Sequence, residues 1–489
     1  MKTKILVCGG GTAGTIISTY LKSHWGDSVD ITLLYDKKNP GIGVGESTTP
    51  VILDYLNKVG INFSDLIKNA NSTLKLGINF KNWLGDDSYY YHGFAEIGTS
   101  QFPEAYDITN ETFAYEIASQ QKFQDVLYDD YYFDNNQIPV EAQGKYALHI
   151  DSLGFSQYIQ KIFSNKIEIL DGVIEKVHVN HSKIDKITLS DGRELSFDFY
   201  IDATGISKTL IKNLNPNWIC KKDYIPINRA ITTHIPNIEG EIPLYTLAEA
   251  SLDGWIWSIP LSNRYGSGYL YSTEYTSDEL ASSRYSEWLL KNYSYETDEF
   301  KTINFSSGYL EDQWIGNCIS VGLSSGFVEP LESTSIHTAI FQAEHIAELY
   351  PLKIIDYNVK NYNQTMRSIF SEIIDFVRLH YYGKRSDSNF WKYISESTPS
   401  WIKELDEKVG IDFYSGYDLT NTSFCFQTKS YTSVLRGLNL LPKESADFYL
   451  KSRNLYNSSK EKYEKMKKIK SKNMKNLLNH RKYVKMLKH

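Results

Sequence analysis

A chain of 489 residues exceeds one compact core, so two cores, or one core with a large appendage, are expected. Its 41% hydrophobic and 23% charged residues are ordinary for a globular protein. The net charge of −7 argues against a nucleic-acid surface, and no run reaches the ~18 apolar residues of a membrane span.

Lys4 to Cys8 reads as a buried strand, Gly9 to Gly14 as a tight turn, Thr12 to about Lys22 as a helix and Asp30 to Leu34 as a second strand. This order, with Gly9, Gly11 and Gly14 where the helix begins, is a dinucleotide-binding unit whose bare helix-start amides, from Gly11 through Thr12 and Ala13, face a pyrophosphate. The acid expected for the ribose hydroxyl is displaced by Tyr35, which leaves Asp36 as the candidate. The apolar run of the first residues ends in glycines after about five positions, too short for a signal peptide. Cys8, Cys220, Cys318 and Cys425 lie far apart, which suggests reduced thiols in a cytoplasmic protein and no metal site.

Further along come Gly41 to Pro50 (GIGVGESTTP), Asn71 to Gly77 (NSTLKLG) with Asn82-Trp83, and Tyr91-His92-Gly93-Phe94. Two hairpin strands, Asp171 to Val179 and Lys183 to Leu189, precede Asp198 to Gly205, a strand ending in Asp202-Ala203-Thr204-Gly205. In Gly254 to Pro260, GWIWSIP, alternation puts Trp255 and Trp257 on one side of a strand and Ile256 on the other; core packing is the plain alternative. Gly322 to Ser335 reads GLSSGFVEPLESTS. From Lys460 to the end there are twelve Lys/Arg against two acids, read as a solvated helix with RNA or membrane contact as the minor alternative.

The glycine loop together with the distant DATG strand resembles two-dinucleotide flavoproteins of the glutathione-reductase and hydroxylase type, which makes the nucleotide FAD. Five motifs in this order, Gly9 to Gly14, Gly41 to Pro50, Asn71 to Gly77 with Asn82-Trp83, Gly254 to Pro260 and Gly322 to Ser335, together resemble the flavin-dependent halogenases of the tryptophan-halogenase group, from residue 1 to about Ala347. The resemblance implies an α/β, Rossmann-like FAD-binding fold with an interleaved antiparallel sheet over residues 1–350, and a mostly helical C-terminal cap over 351–489. It implies an enzyme in which FAD, delivered reduced by a separate reductase, oxidises halide to hypohalous acid.

The family pattern assigns roles residue by residue. Gly43, Val44, Gly45, Glu46 and Ser47 lie against the flavin, as do Gly322, Leu323 and Gly326. Thr334 and Ser335 carry the halide-binding amides; a plain helix start capped by Ser333 or Thr334 suits the same role. Trp255 and Trp257 form a barrier that hypohalous acid crosses and an aromatic ring does not, since a ring reaching the flavin would be hydroxylated. Lys75 meets the oxidant beyond it, as a hydrogen-bonding ammonium or as an amine forming a haloamine. Glu332 orients the oxidant and takes the ring proton, with Glu329 as the alternative. His92 and Phe94 stack on the substrate.

Tryptophan-specific members draw a Trp from the cap, whereas Trp401 is the last tryptophan here, so a phenol, indole or other electron-rich ring is the expected substrate class. Segments 389–402 and 431–442 only loosely resemble that cap. A substrate tethered to a carrier protein, and a homo-oligomer, stay open. A flavin-dependent aromatic monooxygenase and a non-catalytic flavin-binding protein are the other functional classes.

Overall fold

A computed structural model of the chain describes residues 2–39, 41, 43, 45–94, 110–120, 135–139, 146–236, 240–349, 353–383, 385–411, 425–426, 428–473 and 477–488. Its first layer is a six-stranded sheet in the order Trp314–Ile315, Cys318–Ser320, Phe199–Asp202, Thr3–Cys8, Val29–Tyr35, Glu168–Asp171, parallel apart from the two-residue edge strand. The near-continuous apolar run Ile5-Leu6-Val7 is buried on both faces, as a central parallel strand requires. Cys8 pairs with Leu34 on one side and Asp202 on the other, so the glycine loop leaves the sheet between two strand ends.

The second layer is a seven-stranded sheet in the order Lys301–Asn304, Arg229–Pro236, Arg264–Tyr271, Gly254–Pro260, Tyr245–Ser251, Gly77–Lys81, Tyr89–Gly93. It is antiparallel except where Tyr245–Ser251 runs parallel to Gly77–Lys81. Every residue of Gly254–Pro260 is buried. Trp255 and Trp257 enter the main core while Ile256 joins a separate cluster on the opposite face, the alternation expected from the strand. A third, three-stranded sheet sets Ala147–Asp151 between Gly45–Ser47 and Thr73–Lys75, and so ties the GES segment to the strand that ends in Lys75.

From Asp356 the chain is mostly helical, beginning with the 25-residue helix Asp356–His380. Helix Asn110–Ser119 packs on Lys443–Ser452 and Tyr456–Asn473, so the helical cap draws on residues either side of 350. The basic tail is more than a solvated helix. After Tyr456–Asn473, Leu477–Asn479 adds a strand to Gln137–Pro139, and helix His480–Lys488 buries His480 and Val484 against the body. Among the described residues no helix is long and apolar enough to cross a membrane.

Candidate active site

At the dinucleotide end Gly9 and Gly14 have no room for a side chain. A Cβ on Gly9, at φ +116, would lie 2.2 Å from the Ala203 carbonyl oxygen, and one on Gly14 would lie 1.8 Å from the Gly9 oxygen. The DATG turn and the glycine loop are thus pressed together. A Cβ on Gly11 instead points into open space, at the start of helix Thr12–Trp25, which has no side-chain cap. Open space at an uncapped helix start is what a pyrophosphate needs, so the residues present fit FAD. Ala13 touches the third segment: a Cβ on Gly322, at φ +58, would lie 2.7 Å from Ala13 Cβ. Thr12 Oγ1 donates to Glu46 Oε2 at 2.7 Å, joining the loop to the GES segment. Asp202 caps its own turn, accepting from Thr204, Leu210 and Ile211.

Tyr35 occupies the end of the second strand with its ring against Gly10 and its hydroxyl donating to Gln160 at 2.8 Å. Asp36, beside it, has one carboxylate oxygen accepting from the Lys38 amide at 3.0 Å. Gly43 has φ +67 and its carbonyl accepts from Arg264; Val44 lies outside the described residues. Gly322, Gly326, Thr334 and Ser335 line one small cavity with Val328 and Thr338; Leu323 is half-buried in the turn between the two glycines. Helix Thr334–Ala347 begins there without a side-chain cap. Ser333 stands at the cap position with φ +60, but its hydroxyl is turned away to Lys75 and Ser47, so the expected capping by Ser333 is replaced by uncapped amides.

Lys75 is wholly buried at the end of Thr73–Lys75. Its Nζ donates to the Thr48 carbonyl at 2.8 Å and to Ser333 Oγ at 3.0 Å, which places it against the Gly41 to Pro50 and Gly322 to Ser335 segments. The Phe94 ring centroid is 5.1 Å from Nζ. Burial pushes the ammonium down to about 7, the Glu332 carboxylate opposing this in part.

Glu332 is buried between two imidazoles. His92 Nδ1 lies 2.9 and 3.0 Å from its two oxygens, and His380 Nε2 lies 2.7 Å from Oε1. His380 Nδ1 donates to the Phe376 carbonyl at 2.9 Å, while its Nε2 faces the carboxylate without a well-directed hydrogen bond. Burial raises the Glu332 carboxyl, but His92 and His380 outweigh it and hold it at about 2. The three ligand atoms lie within 4.8 Å of one another, a donor set that also suits a divalent cation. The 2.7 and 2.9 Å separations are shorter than the roughly 3.3 Å between two ligands on one tetrahedral zinc with ~2.0–2.1 Å bonds. Glu329 is spent elsewhere: it accepts from the Tyr381 hydroxyl at 2.6 Å, and burial pushes it up to about 7.

Trp255 and Trp257 stand edge to face with centroids 6.3 Å apart. Gly268 makes room for the second ring, since a Cβ there would lie 2.2 Å from Trp257. Around the His92 side the cap supplies an aromatic wall: Phe376 is 5.8 Å from the His92 ring, 3.8 Å from Phe426 and 4.9 Å from Tyr431. Trp401 is directed elsewhere, donating to Tyr224 at 2.8 Å. His380, Phe376 and Phe426 escape sequence reading because only the folded chain brings them to Glu332 and His92, and the contacts of Thr48 and Ser333 with Lys75 appear only in the fold. The one sequence signal was the EST triplet, which fixes where a hydroxyl follows the glutamate.

The tryptophan halogenase family model matches residues 4–453. Among curated proteins, the tryptophan 7-halogenase RebH of Lentzea aerocolonigenes is 27% identical over 483 residues, 90% of each chain. The 7-chloro-L-tryptophan 6-halogenase KtzR of Kutzneria sp. is 29% identical over 422 residues, 79% of this chain and 81% of that one. The same fold is found in Xcc4156, a flavin-dependent halogenase from Xanthomonas campestris, with a TM-score of 0.88 at 23% identity over 100% of this chain and 98% of that one. A glycine cradle fitted to FAD, two motif segments converging on one buried lysine and a family match over nearly the whole length together show that the chain belongs to the tryptophan halogenases, enzymes that use reduced FAD, oxygen and halide.

Proposed function

We propose that the chain halogenates an electron-rich aromatic ring, with an indole as the first candidate, and that Lys75 hands the halogen on. The observation that carries this reading is the position of Lys75: a fully buried amine held by Thr48 and Ser333 of the flavin segments, with Phe94 on its other side. Gly9, Gly11, Thr12, Ala13 and Gly14 would hold the FAD pyrophosphate and Asp36 the ribose, with Gly43, Gly45, Glu46, Ser47, Gly322, Leu323 and Gly326 around the flavin. Reduced FAD with oxygen supplies the oxidising power that turns halide into hypohalous acid. The amides of Thr334 and Ser335, at an uncapped helix start, suit the halide.

Hypohalous acid then passes Trp255 and Trp257 to Lys75. Two rigid rings packed edge to face would bar an aromatic substrate, which would stay on the side of His92, Phe94, Phe376 and Tyr431. Glu332, kept ionised by its two imidazoles, takes the proton that the ring releases as aromaticity returns. The indole preference rests on the curated relatives, which are named for tryptophan. Because Trp401 is bound to Tyr224, the aromatic wall of the substrate side is Phe376, Phe426 and Tyr431 in place of a tryptophan.

The test supplies chemically reduced FAD, oxygen and chloride or bromide to the protein with a panel of indoles and phenols, free and carrier-bound, and reads product mass. A halide-dependent halogenated product is expected. Halide-independent addition of oxygen would instead establish a monooxygenase, and no product with any ring would leave flavin binding as the function.

A further inference from the structure

From Lys75 a single file of hydrogen bonds runs through the buried small sheet. Lys75 Nζ donates to Ser333 Oγ, and Ser333 Oγ donates to Ser47 Oγ at 2.9 Å. Ser47 Oγ lies 2.7 Å from Thr246 Oγ1, and Thr246 Oγ1 lies 3.0 Å from His149 Nε2. His149 Nδ1 lies 3.2 Å from Thr73 Oγ1, which donates to the Pro260 carbonyl at 2.6 Å. His149 itself is wholly buried on the strand Ala147–Asp151.

The far end dictates every direction. A carbonyl only accepts, so the Thr73 proton points at Pro260 and Thr73 must receive one from His149 Nδ1. A neutral imidazole has one N–H, which leaves the lone pair on Nε2. Thr246 therefore donates to His149, Ser47 to Thr246 and Ser333 to Ser47. The near end agrees, because an ammonium can only donate. All the hydroxyl protons point away from Lys75, and the first basic lone pair they reach is His149 Nε2.

We infer that this file carries a proton from Lys75 to His149, so that Lys75 meets hypohalous acid as an amine; the inference rests on the halogenase reading above. Lys75 ammonium and neutral His149 become amine and imidazolium, each hydroxyl passing its own proton on and taking one from behind. The amine lone pair forms the N–halogen bond as the oxygen–halogen bond of hypohalous acid breaks, and hydroxide leaves as water with one amine proton. When the ring takes the halogen, the proton on His149 returns along the file to the nitrogen. The ring proton goes to Glu332 and from there to Lys75, restoring the ammonium. The net change is ring and hypohalous acid to halogenated ring and water.

The groups facing His149 fit this role. Burial, then the charge on Lys75, then His480 hold its imidazole well below the ordinary histidine range, so it is neutral at rest. The Lys75 contribution vanishes once that proton has moved. His480 is no competitor: its Nδ1 donates to the Ile242 carbonyl at 2.8 Å and its Nε2 accepts from the Leu74 amide at 3.2 Å. Glu332 is the remaining charge that acts on Lys75. His149 is thus a positioning residue, acting on the reaction through Lys75.

The experiment uses two folded variants of the full chain, loaded with reduced FAD, oxygen and bromide. H149Q keeps an acceptor for Thr246 and a donor for Thr73 but has no titratable nitrogen; T246V cuts the file in its middle at nearly constant volume. Flavin oxidation and hypohalous acid caught by a small diketone trap should match the wild type. Halogenated ring product at pH 6, where only about a tenth of Lys75 is already amine, should fall up to about tenfold and recover as pH is raised to 8. Either variant halogenating at the wild-type rate with the wild-type pH profile overturns the relay, as does loss of flavin oxidation in H149Q. A wild type that yields no trapped hypohalous acid would instead overturn the halogenase reading, and the relay with it.

Discussion

Trp257→Ala tests the barrier. The ring is 8% exposed, packs edge to face on Trp255, and lies over Gly268, which has no side chain to move into the vacated space. The void would therefore stay largely open, and the stability cost belongs at the upper end of the ~3–5 kcal/mol typical of Trp→Ala. That is a large share of the ~5–15 kcal/mol of a whole protein, so the variant should fold but unfold at a clearly lower temperature. The opened strand face would let an aromatic ring approach the flavin side. The assay is product partition in the folded variant: hydroxylated ring and free hydrogen peroxide should rise against halogenated ring. Trp257→Phe, which leaves most of the wall, should give an intermediate partition. If the partition of folded Trp257→Ala equals that of the wild type, Trp257 is core packing and the barrier lies elsewhere.

The two buried glutamates should separate cleanly. Glu332→Gln should lower halogenation about a hundredfold by removing the proton acceptor. Glu329→Gln, whose hydrogen bond from Tyr381 an amide oxygen can still accept, should stay within a few-fold of the wild type; equal losses in both would refute the choice of Glu332. His480→Phe strands the Leu74 amide beside the Lys75 strand at roughly 1–3 kcal/mol, so it should lower the unfolding temperature and halogenation while FAD binding persists. The pH dependence follows from Lys75, whose buried ammonium is pushed down to about 7 and so holds its proton only below that value. The amine fraction then rises about tenfold from pH 6 to pH 8. In H149Q and T246V, where Lys75 cannot pass its proton to His149, halogen transfer should rise with it and flavin oxidation should not; a transfer rate flat across that range in those variants would contradict an amine at Lys75.

Much of the flavin end was legible because its demands are local. Gly9 and Gly14 sit where a tight turn and a close backbone approach exclude a side chain, Gly11 sits where the helix start faces open space, and their spacing reveals the unit. Trp255 and Trp257 were legible as one face because strand alternation has a period of two. The substrate end was not. Glu332 is held by His380, which lies 48 positions later at the end of a cap helix and is aimed by the Phe376 carbonyl one turn earlier. His149 and Thr246 sit on ordinary-looking strands, and only the register of Ala147–Asp151 against Gly45–Ser47 and Thr73–Lys75 turns them into partners of Lys75. The tail misled for a related reason: its charge suggested solvent, whereas one buried histidine, His480, anchors it.

The central claim is that halide oxidation and halogen transfer are separate events and that Lys75 performs the second. A single-turnover measurement on Lys75→Met, with preformed reduced FAD, oxygen, bromide and an indole, tests it most directly. Methionine nearly preserves the length of the buried chain and removes the nitrogen. Flavin oxidation and trappable hypohalous acid should be those of the wild type, while brominated indole should fall to background, a loss of several kcal/mol in the transition state and so on the order of a hundredfold or more in rate. Near-normal bromination, or flavin oxidation lost together with it, would contradict the assignment.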